Sequence, residues 1–329
     1  MFKLLKNEDN IYEYLVYDLE TEFLNGIRRV LYSKLKSYSF DIKNTIIIKN
    51  TTNINNEIIS HRLSLIPLNV NKSLKYSLNI KNKTNEIKYV YSNDIICEDK
   101  NYTIDNNILL LKLKPDEEIN LVTSTKISCG EDNISYRPFS VCYFKIMKGI
   151  YVKNGVNYDK VKDIVDYYDL DLEKFKKKEG YKLIGYTNEI RDYTKPLKKV
   201  LKEDEYTIEE MEYNNKHVYY FTIEMFYKNN KIIEISKNLL IKDFENFNEL
   251  NKKDISTEKL TRLEIENGNY HTLNIISKYI RNTQNIYSTY NKEHPLKNNI
   301  ILEYLKQKEE NFLNNIINDI IHKINLISC

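Results

Sequence analysis

Few side chains in this sequence stand where they could do covalent chemistry. His61-Arg62 is the most inviting pair, an imidazole beside a guanidinium. A histidine working as a base needs an orienting carboxylate and a nucleophile in reach, and the residues around it offer no recognisable set. His61 therefore reads as capping or packing at the end of a short helix, and Arg62 as part of an interface or an intradomain ion pair. His271 reads as a hydrogen-bonding residue where a turn meets a helix. Asp163 and Asp169-Leu170-Asp171 are isolated acids on a charged stretch, without the Asp-x-Asp-x-Asp spacing that would hold a catalytic magnesium. Cys97, Cys129, Cys142 and Cys329 have wide, unpatterned spacings, and the five histidines are scattered, so no zinc set or disulfide framework is expected. No glycine-rich loop can cradle a phosphate. The expectation is no catalytic residue, no metal and no cofactor. What remains is binding chemistry: Asn25, Arg28 and Arg29, whose planar guanidinium forks suit carboxylates and carbonyls.

Those residues need a helix beneath them. Over 21–36, Phe23, Leu24, Ile27, Val30, Leu31 and Leu35 gather on one face at about 100° per residue, with Asn25, Arg29 and Ser33 opposite and Arg28 at the boundary. Thr21 is the expected N-cap, with Glu22 favourable in the first turn. Strands are expected over 11–17 and 39–49, and a short helix from Asn56 that must stop before Pro67. From Asn69 to about Lys145 the pattern is short strands and polar turns (74–80, 87–91, 108–114, 119–127, 140–146). Residues 150–205 are charged and tyrosine-rich, with a helix expected near 159–178. A strand at His217–Phe226 precedes a long amphipathic helix to about Asn251, whose apolar residues Ile232, Ile235, Leu239, Leu240, Phe244 and Phe247 step at three and four. A hydrophilic linker, Asn251–Glu258, follows. Beyond it come a strand over 260–266, a turn, a helix over 271–281, strands at 286–290 and 299–304, and a terminal helix over 306–327 with Phe312, Ile316, Ile317, Ile320, Ile324 and Ile327 on one face.

Composition narrows the class. The chain has 329 residues, 41% of them hydrophobic, enough for two or three domains with real cores. No run reaches the roughly 18 apolar residues needed to cross a bilayer, and Met1–Lys6 does not open an apolar signal block. A soluble intracellular protein is expected, with no membrane partner. Fifty basic against forty-seven acidic residues leave a net charge of +3, too little excess for a protein gripping duplex DNA through many phosphates. Alanine and tryptophan are absent and Asn, Lys, Ile and Tyr abound, as a strongly AT-biased genome would produce. Without alanine, the helices depend on packing of Ile and Leu.

One repeat is visible. Leu24-Asn25-x-Ile27-x-Arg29-x-Leu31 aligns with Leu273-Asn274-x-Ile276-x-Lys278-x-Ile280 at a constant offset. Five matches could arise by chance in so biased a chain. Their place in two strand–helix–strand–long-helix modules argues instead for related halves.

Several segments carry a family resemblance. They are Phe23–Leu31, the strand Asp41–Asn50 with Thr51-Thr52, Glu57–Leu68, Pro115–Leu121, Cys129–Pro138 and Phe221-Thr222-Ile223-Glu224. Together they resemble the α-type assembly subunits of multisubunit RNA polymerases: the third subunit of eukaryotic polymerase II, the archaeal D subunit and the N-terminal domain of bacterial α. Ile265–Leu273 and His294-Pro295-Leu296, followed by a long helix, are similar to the eleventh subunit or archaeal L. Asn274 stands where that family has glycine, and Met225-Phe226-Tyr227 replaces a small-residue turn. Relatives that bind zinc or an iron–sulfur centre carry more cysteines in the insertion domain than this chain's Cys97, Cys129 and Cys142.

The resemblance implies an α+β fold of two related sheet-plus-helix dimerisation modules forming an intramolecular pseudo-dimer. Residues 1–68 and 206–250 would be the first module, 69–205 a β-rich insertion domain, 251–258 the linker and 259–329 the second module. Leu24, Ile27, Leu31, Leu239, Leu240, Phe244, Leu273, Ile276, Phe312, Ile316, Ile320 and Ile324 would form the dimerisation core. Six large apolar side chains per long helix, at about 1.5–3 kcal/mol each, give on the order of 10 kcal/mol before ordering costs. The linker reaches at most roughly 26–29 Å. Asn25, Arg28, Arg29, His61 and Arg62 would face the two largest catalytic subunits, with smaller polymerase subunits as further partners and DNA met only through the complex. A single-chain fusion implies a cytoplasmic large DNA virus, hence a viral factory and a place in the virion. The competing expectation is a viral interaction or virion protein on the same fold without a polymerase.

Overall fold

Asp9-Asn10 turns the chain on itself, both residues in the left-handed region at φ 49° and 64°, as a two-residue hairpin with right-handed strand twist requires. It joins β1 (Phe2–Glu8) to β2 (Ile11–Val16), which pair antiparallel. The fold is α+β, and the computed structural model describes residues 1–104, 107–156, 175, 178–187, 197–292, 294, 296–309 and 311–328. The helix expected near 159–178 lies outside the described residues, Phe175 and Lys178 apart. The chain divides into two compact units: Met1–Leu31, Val141–Glu224 and Asn230–Cys329 form one, Tyr32–Ser140 and Met225–Asn229 the other.

After β2 comes α1 (Thr21–Lys34). The second unit then opens with β3 (Lys36–Phe40) and β4 (Ile46–Asn50). The expected single strand 39–49 is broken between them. Asp41 is buried and its carboxylate accepts from the Lys43 backbone N–H (3.0 Å) and Asn44 Nδ2 (2.9 Å), winding Ile42–Asn44 into a 3₁₀ turn. A local side-chain bond to backbone has outbid the strand ladder. Next follow α2 (Asn56–Ser64), β5 (Lys75–Lys81), β6 (Lys88–Tyr91), β7 (Ile96–Cys97), β8 (Leu109–Leu113) and β9 (Glu118–Cys129). Strand β9 organises the unit, pairing antiparallel with β3, β4 and β5, while β7 adds to β5 and β6 pairs β8. Its alternate residues Ile119, Leu121, Thr123 and Thr125 are buried, the period of two expected of a half-buried strand. Ile59 and Leu63 of α2 join Leu78, Val90, Leu111 and Leu121 in one core.

The first unit resumes with β10 (Phe139–Ile146), β11 (Lys148–Lys153), β12 (Tyr181–Thr187), β13 (Tyr206–Glu210), β14 (Glu212–Tyr213), β15 (Lys216–His217) and β16 (Tyr219–Met225). One four-stranded sheet has the order β1-β2-β16-β10; β11 sits between β12 and β13 in another. Then come α3 (Ile232–Glu249), β17 (Lys252–Asp254), β18 (Leu260–Glu266), α4 (Tyr270–Gln284), β19 (Ser288–Asn291), β20 (Asn299–Leu305) and α5 (Phe312–Asn325). The second four-stranded sheet runs β17-β18-β20-β19. The stretch expected as a linker thus carries β17, hydrogen-bonded along β18. The last helix starts at Phe312, not Lys306. Its preceding residues are polar and bring no apolar side chain to bury, and packing rather than propensity holds such helices.

Among the described residues no helix is long and apolar enough to cross a membrane.

Candidate assembly interface

Helix α1 begins where the Glu20 carbonyl accepts from Phe23 N (3.1 Å) and Leu24 N (3.3 Å), so Glu20 occupies the cap position expected for Thr21. Thr21 instead bonds its hydroxyl to the Tyr219 phenol. The helix buries Phe23, Leu24, Gly26, Ile27, Val30 and Leu31. On its other side Arg29 is exposed and Arg28 half-buried, Arg28 donating through Nη2 (2.8 Å) and Nε (3.2 Å) to Asn25 Oδ1. The i, i+3 spacing brings the two side chains together. Cys142 is buried in the same unit. Burial pushes its thiol up to about 12, against the smaller opposite pull of the Arg28 charge.

The buried face of α1 meets the C-terminal part of the chain at Gly26. A Cβ there would stand 2.8 Å from Ile275 Cδ1 of α4 and 3.3 Å from Leu240 Cδ1 of α3. Glycine leaves room there for the ends of the Ile275 and Leu240 side chains. Leu240 and Phe244 of α3, Leu273 and Ile276 of α4, and Phe312, Ile316, Ile320 and Ile324 of α5 are buried; Leu239 is half-buried. Helix α5 packs on both α3 and α4.

Polar contacts tie the same elements. His271 Nε2 lies 2.8 Å from Asp243 Oδ2, with both side chains less than a tenth exposed. A carboxylate only accepts, so the imidazole donates. Asn269 Nδ2 adds a longer bond to that oxygen at 3.5 Å. Lys278 pairs with Glu22 at 3.2 Å. Lys323 pairs with Glu20 at 2.6 Å and sits over the Phe23 and Tyr279 rings. Lys216 reaches both Asp18 (3.0 Å) and Glu20 (3.4 Å). Burial alone would raise the Glu20 pKa, yet the hydrogen bond and charge of Lys323, with Lys216, hold it below the ordinary value. Lys237 Nζ donates to the Asn325 (3.2 Å) and Ile327 (3.1 Å) carbonyls, where the carbonyl end of α5 favours a cation. Phe2 N donates to Ser328 O at 3.1 Å, joining the two ends of the chain.

The other expected docking residues lie in the second unit. His61 and Arg62 are both exposed in the last turn of α2, and Arg62 Nη2 donates to the Leu109 carbonyl at 2.7 Å. Arg62 thus makes a hydrogen bond within its unit where an ion pair was one expectation. Among the described residues no group of three or more His, Cys, Asp or Glu side chains converges as a metal site would.

Sequence reasoning passed over Asp243, the Gly26–Ile275 contact and the Asp18–Glu20–Lys216–Lys323 cluster. Two signals were available. Asp243 falls between Leu240, Phe244 and Phe247 on the apolar face of a helix, where an acid must have a partner. Gly26 sits mid-helix at a cost of about 1 kcal/mol relative to alanine, which implies a packing reason.

Sequence comparison gives this geometry a context. The chain is homologous to the α-like subunits of DNA-directed RNA polymerases. Among the relatives are the polymerase subunit Rpo3 of Methanobrevibacter smithii, 29% identical over 165 residues, and that of Thermococcus kodakarensis, 23% identical over 184. The rpac1 subunit of RNA polymerases I and III from Dictyostelium discoideum is 19% identical over 198 residues. These matches cover 44%, 53% and 50% of this chain and 58%, 70% and 57% of the respective relatives. The chain spans 58% of the length of the Methanobrevibacter protein. No family model matches it.

Proposed function

We propose that this protein is a non-catalytic assembly subunit of a multisubunit DNA-dependent RNA polymerase. Its two halves pair with each other and offer a platform to the two large catalytic subunits. One observation carries the pairing. Gly26 and Ile275 stand at the same offset that relates Leu24 to Leu273 in the repeat, so each is the other's equivalent. In an isologous pair, only residues on the twofold axis touch their own equivalents. Helices α1 and α4 meet there through the Ile275 methyl, as two related halves joined face to face would. The kinship with Rpo3 and rpac1 supports the polymerase role.

In this reading α1 with α3 belongs to one half and α4 with α5 to the other, and residues 69–205 are the insertion. The exposed Arg29 of α1, with Asn25 and Arg28, and His61 and Arg62 of α2 form the docking surfaces. Arg28 bonds Asn25, and Arg29 is the more exposed of the two arginines. The chain supplies no active site of its own. Its fusion of two subunits, a viral source, a cytoplasmic factory and packaging in the virion belong to the same proposal, supported by the AT-biased composition.

The test is recovery of partners. Tagged protein expressed in its source should bring down two polymerase subunits in equal amount. Arg29→Glu combined with Arg62→Glu should leave circular dichroism unchanged and cut that recovery at least about tenfold, the effect of losing ~1.4 kcal/mol. Undiminished recovery would move the docking surface elsewhere. Absence of the large subunits with the unmodified chain would end the polymerase reading.

A further inference from the structure

If two halves pair, something must make each choose the other over a second copy of itself. A pseudo-twofold axis gives every contact a counterpart made by equivalent residues. The α1–α4 offset makes Glu22 the equivalent of His271. The helices α3 and α5 align with Ile232 on Phe312, Leu240 on Ile320 and Phe244 on Ile324, all buried, and that offset sets Asp243 on Lys323. The counterpart of His271–Asp243 is therefore Lys323 at the start of α1. There Lys323 holds Glu20, two residues before Glu22. The charges are exchanged across the axis. One long helix brings an acid to the opposing half, and the other brings a base.

Pairing of two first halves would set Asp243 against Glu20 and Glu22, twice over. Carboxylates have no proton to give each other, and this site is nearly closed to water. Pairing of two second halves would set Lys323 against His271 with no carboxylate between them. Shape repeats the logic on the axis. Gly26 is a hole and Ile275 a knob, with 2.8 Å between the Ile275 methyl and the place a Cβ would take. Two glycines there would leave a void and two isoleucines an overlap, each of them destabilising. Glu22–Lys278 chooses on one side only: two first halves would set Glu22 against Arg29, still acid with base, whereas two second halves would set Lys278 against His271 with no acid.

We propose that Asp243–His271, Lys323–Glu20 and the fit of Ile275 against Gly26 form a selectivity code. It commits each half to the other half and excludes a second copy of the same half. The proposal rests on the paired-halves reading above, not on any polymerase partner.

The test uses the full-length chain, with mass from light scattering and folding from circular dichroism. The unmodified protein should be a monomer of 39.4 kDa. Asp243→Ala removes the attraction between unlike halves and creates none between like ones, so it should lower the unfolding temperature and stay monomeric. Asp243→Lys opposes His271 and invites Glu20 and Glu22 of a second chain. Its mass should at least double. Adding His271→Glu to Asp243→Lys restores an acid–base pair in reversed order and should return the monomer. A folded monomeric Asp243→Lys would overturn the code, as would equal association of Asp243→Ala. Should Asp243→Lys fail to fold, the double variant decides, and its failure to recover a folded monomer counts against the code. None of these masses depends on large subunits, so this proposal and the polymerase reading can fail separately.

Discussion

At the scale of single residues, the Gly26–Ile275 contact concentrates the packing argument in one methyl group. Valine at position 26 would thrust its branches into Ile275 and Leu240, and overpacking of this kind costs about 1–3 kcal/mol. Ile275 is 1% exposed, so Ile275→Ala alone should cost about 2–5 kcal/mol. The combined Gly26→Val, Ile275→Ala variant should lose at least 0.5 kcal/mol less than the sum, since contacting residues couple by about 0.5–3 kcal/mol. Chemical denaturation of the four proteins measures this cycle, and strict additivity would mean that the two residues do not share one site. The helical period showed the apolar face of α1, though Gly26 was not among the residues placed on it. It could not show what filled the hole, because Ile275 approaches from the far end of the chain. Asp243 was hidden for the same reason: its partner His271 belongs to another helix.

Elements were more legible than contacts. Helices α1 and α3 were readable from their apolar stripes, because a period of 3.6 needs only local sequence. The first strand was not. Strand β1 buries only Phe2 fully and exposes most of the rest, so Phe2–Glu8 shows no alternation. Strand β17 is three polar residues whose ladder bonds to β18 carry no sequence signal. Within α3, burial now separates residues that the stripe had grouped. Leu240 and Phe244 are fully buried and Leu239 is not. Leu240→Ala should cost about 2–5 kcal/mol and Phe244→Ala about 3–5, each a large part of a typical total of 5–15. Leu239→Ala should cost less than half as much as Leu240→Ala. Thermal denaturation of the three variants ranks them, and a Leu239 loss equal to that of Leu240 would show that the half-buried side of α3 is covered in solution.

For the whole molecule, acid is the informative stress, because carboxylates with depressed pKa values occur in both compact units. Glu20 is held down by Lys323 and Lys216 in the first; in the second, Asp99 is lowered by Lys72 and Glu118 by Lys49. For each, the folded value lies below the unfolded one. Its contribution is therefore complete above the unfolded value, 4.5 for the two glutamates and 3.8 for the aspartate. It is lost as the pH falls through the lower folded value. The melting temperature should accordingly depend little on these groups from pH 6 to 8 and decline once the pH passes below about 5. The pairs of Asp99 and Glu118 face solvent and should weaken with added salt. Glu20 is partly enclosed and carries the only one of these three pairs that joins α5 to the start of α1. Glu20→Gln should therefore lower the melting temperature at pH 7 and make the acid-induced decline shallower, with the difference persisting at high salt. An unchanged acid profile for Glu20→Gln would mean that Lys323 holds α1 through the Phe23 ring rather than through the Glu20 carboxylate.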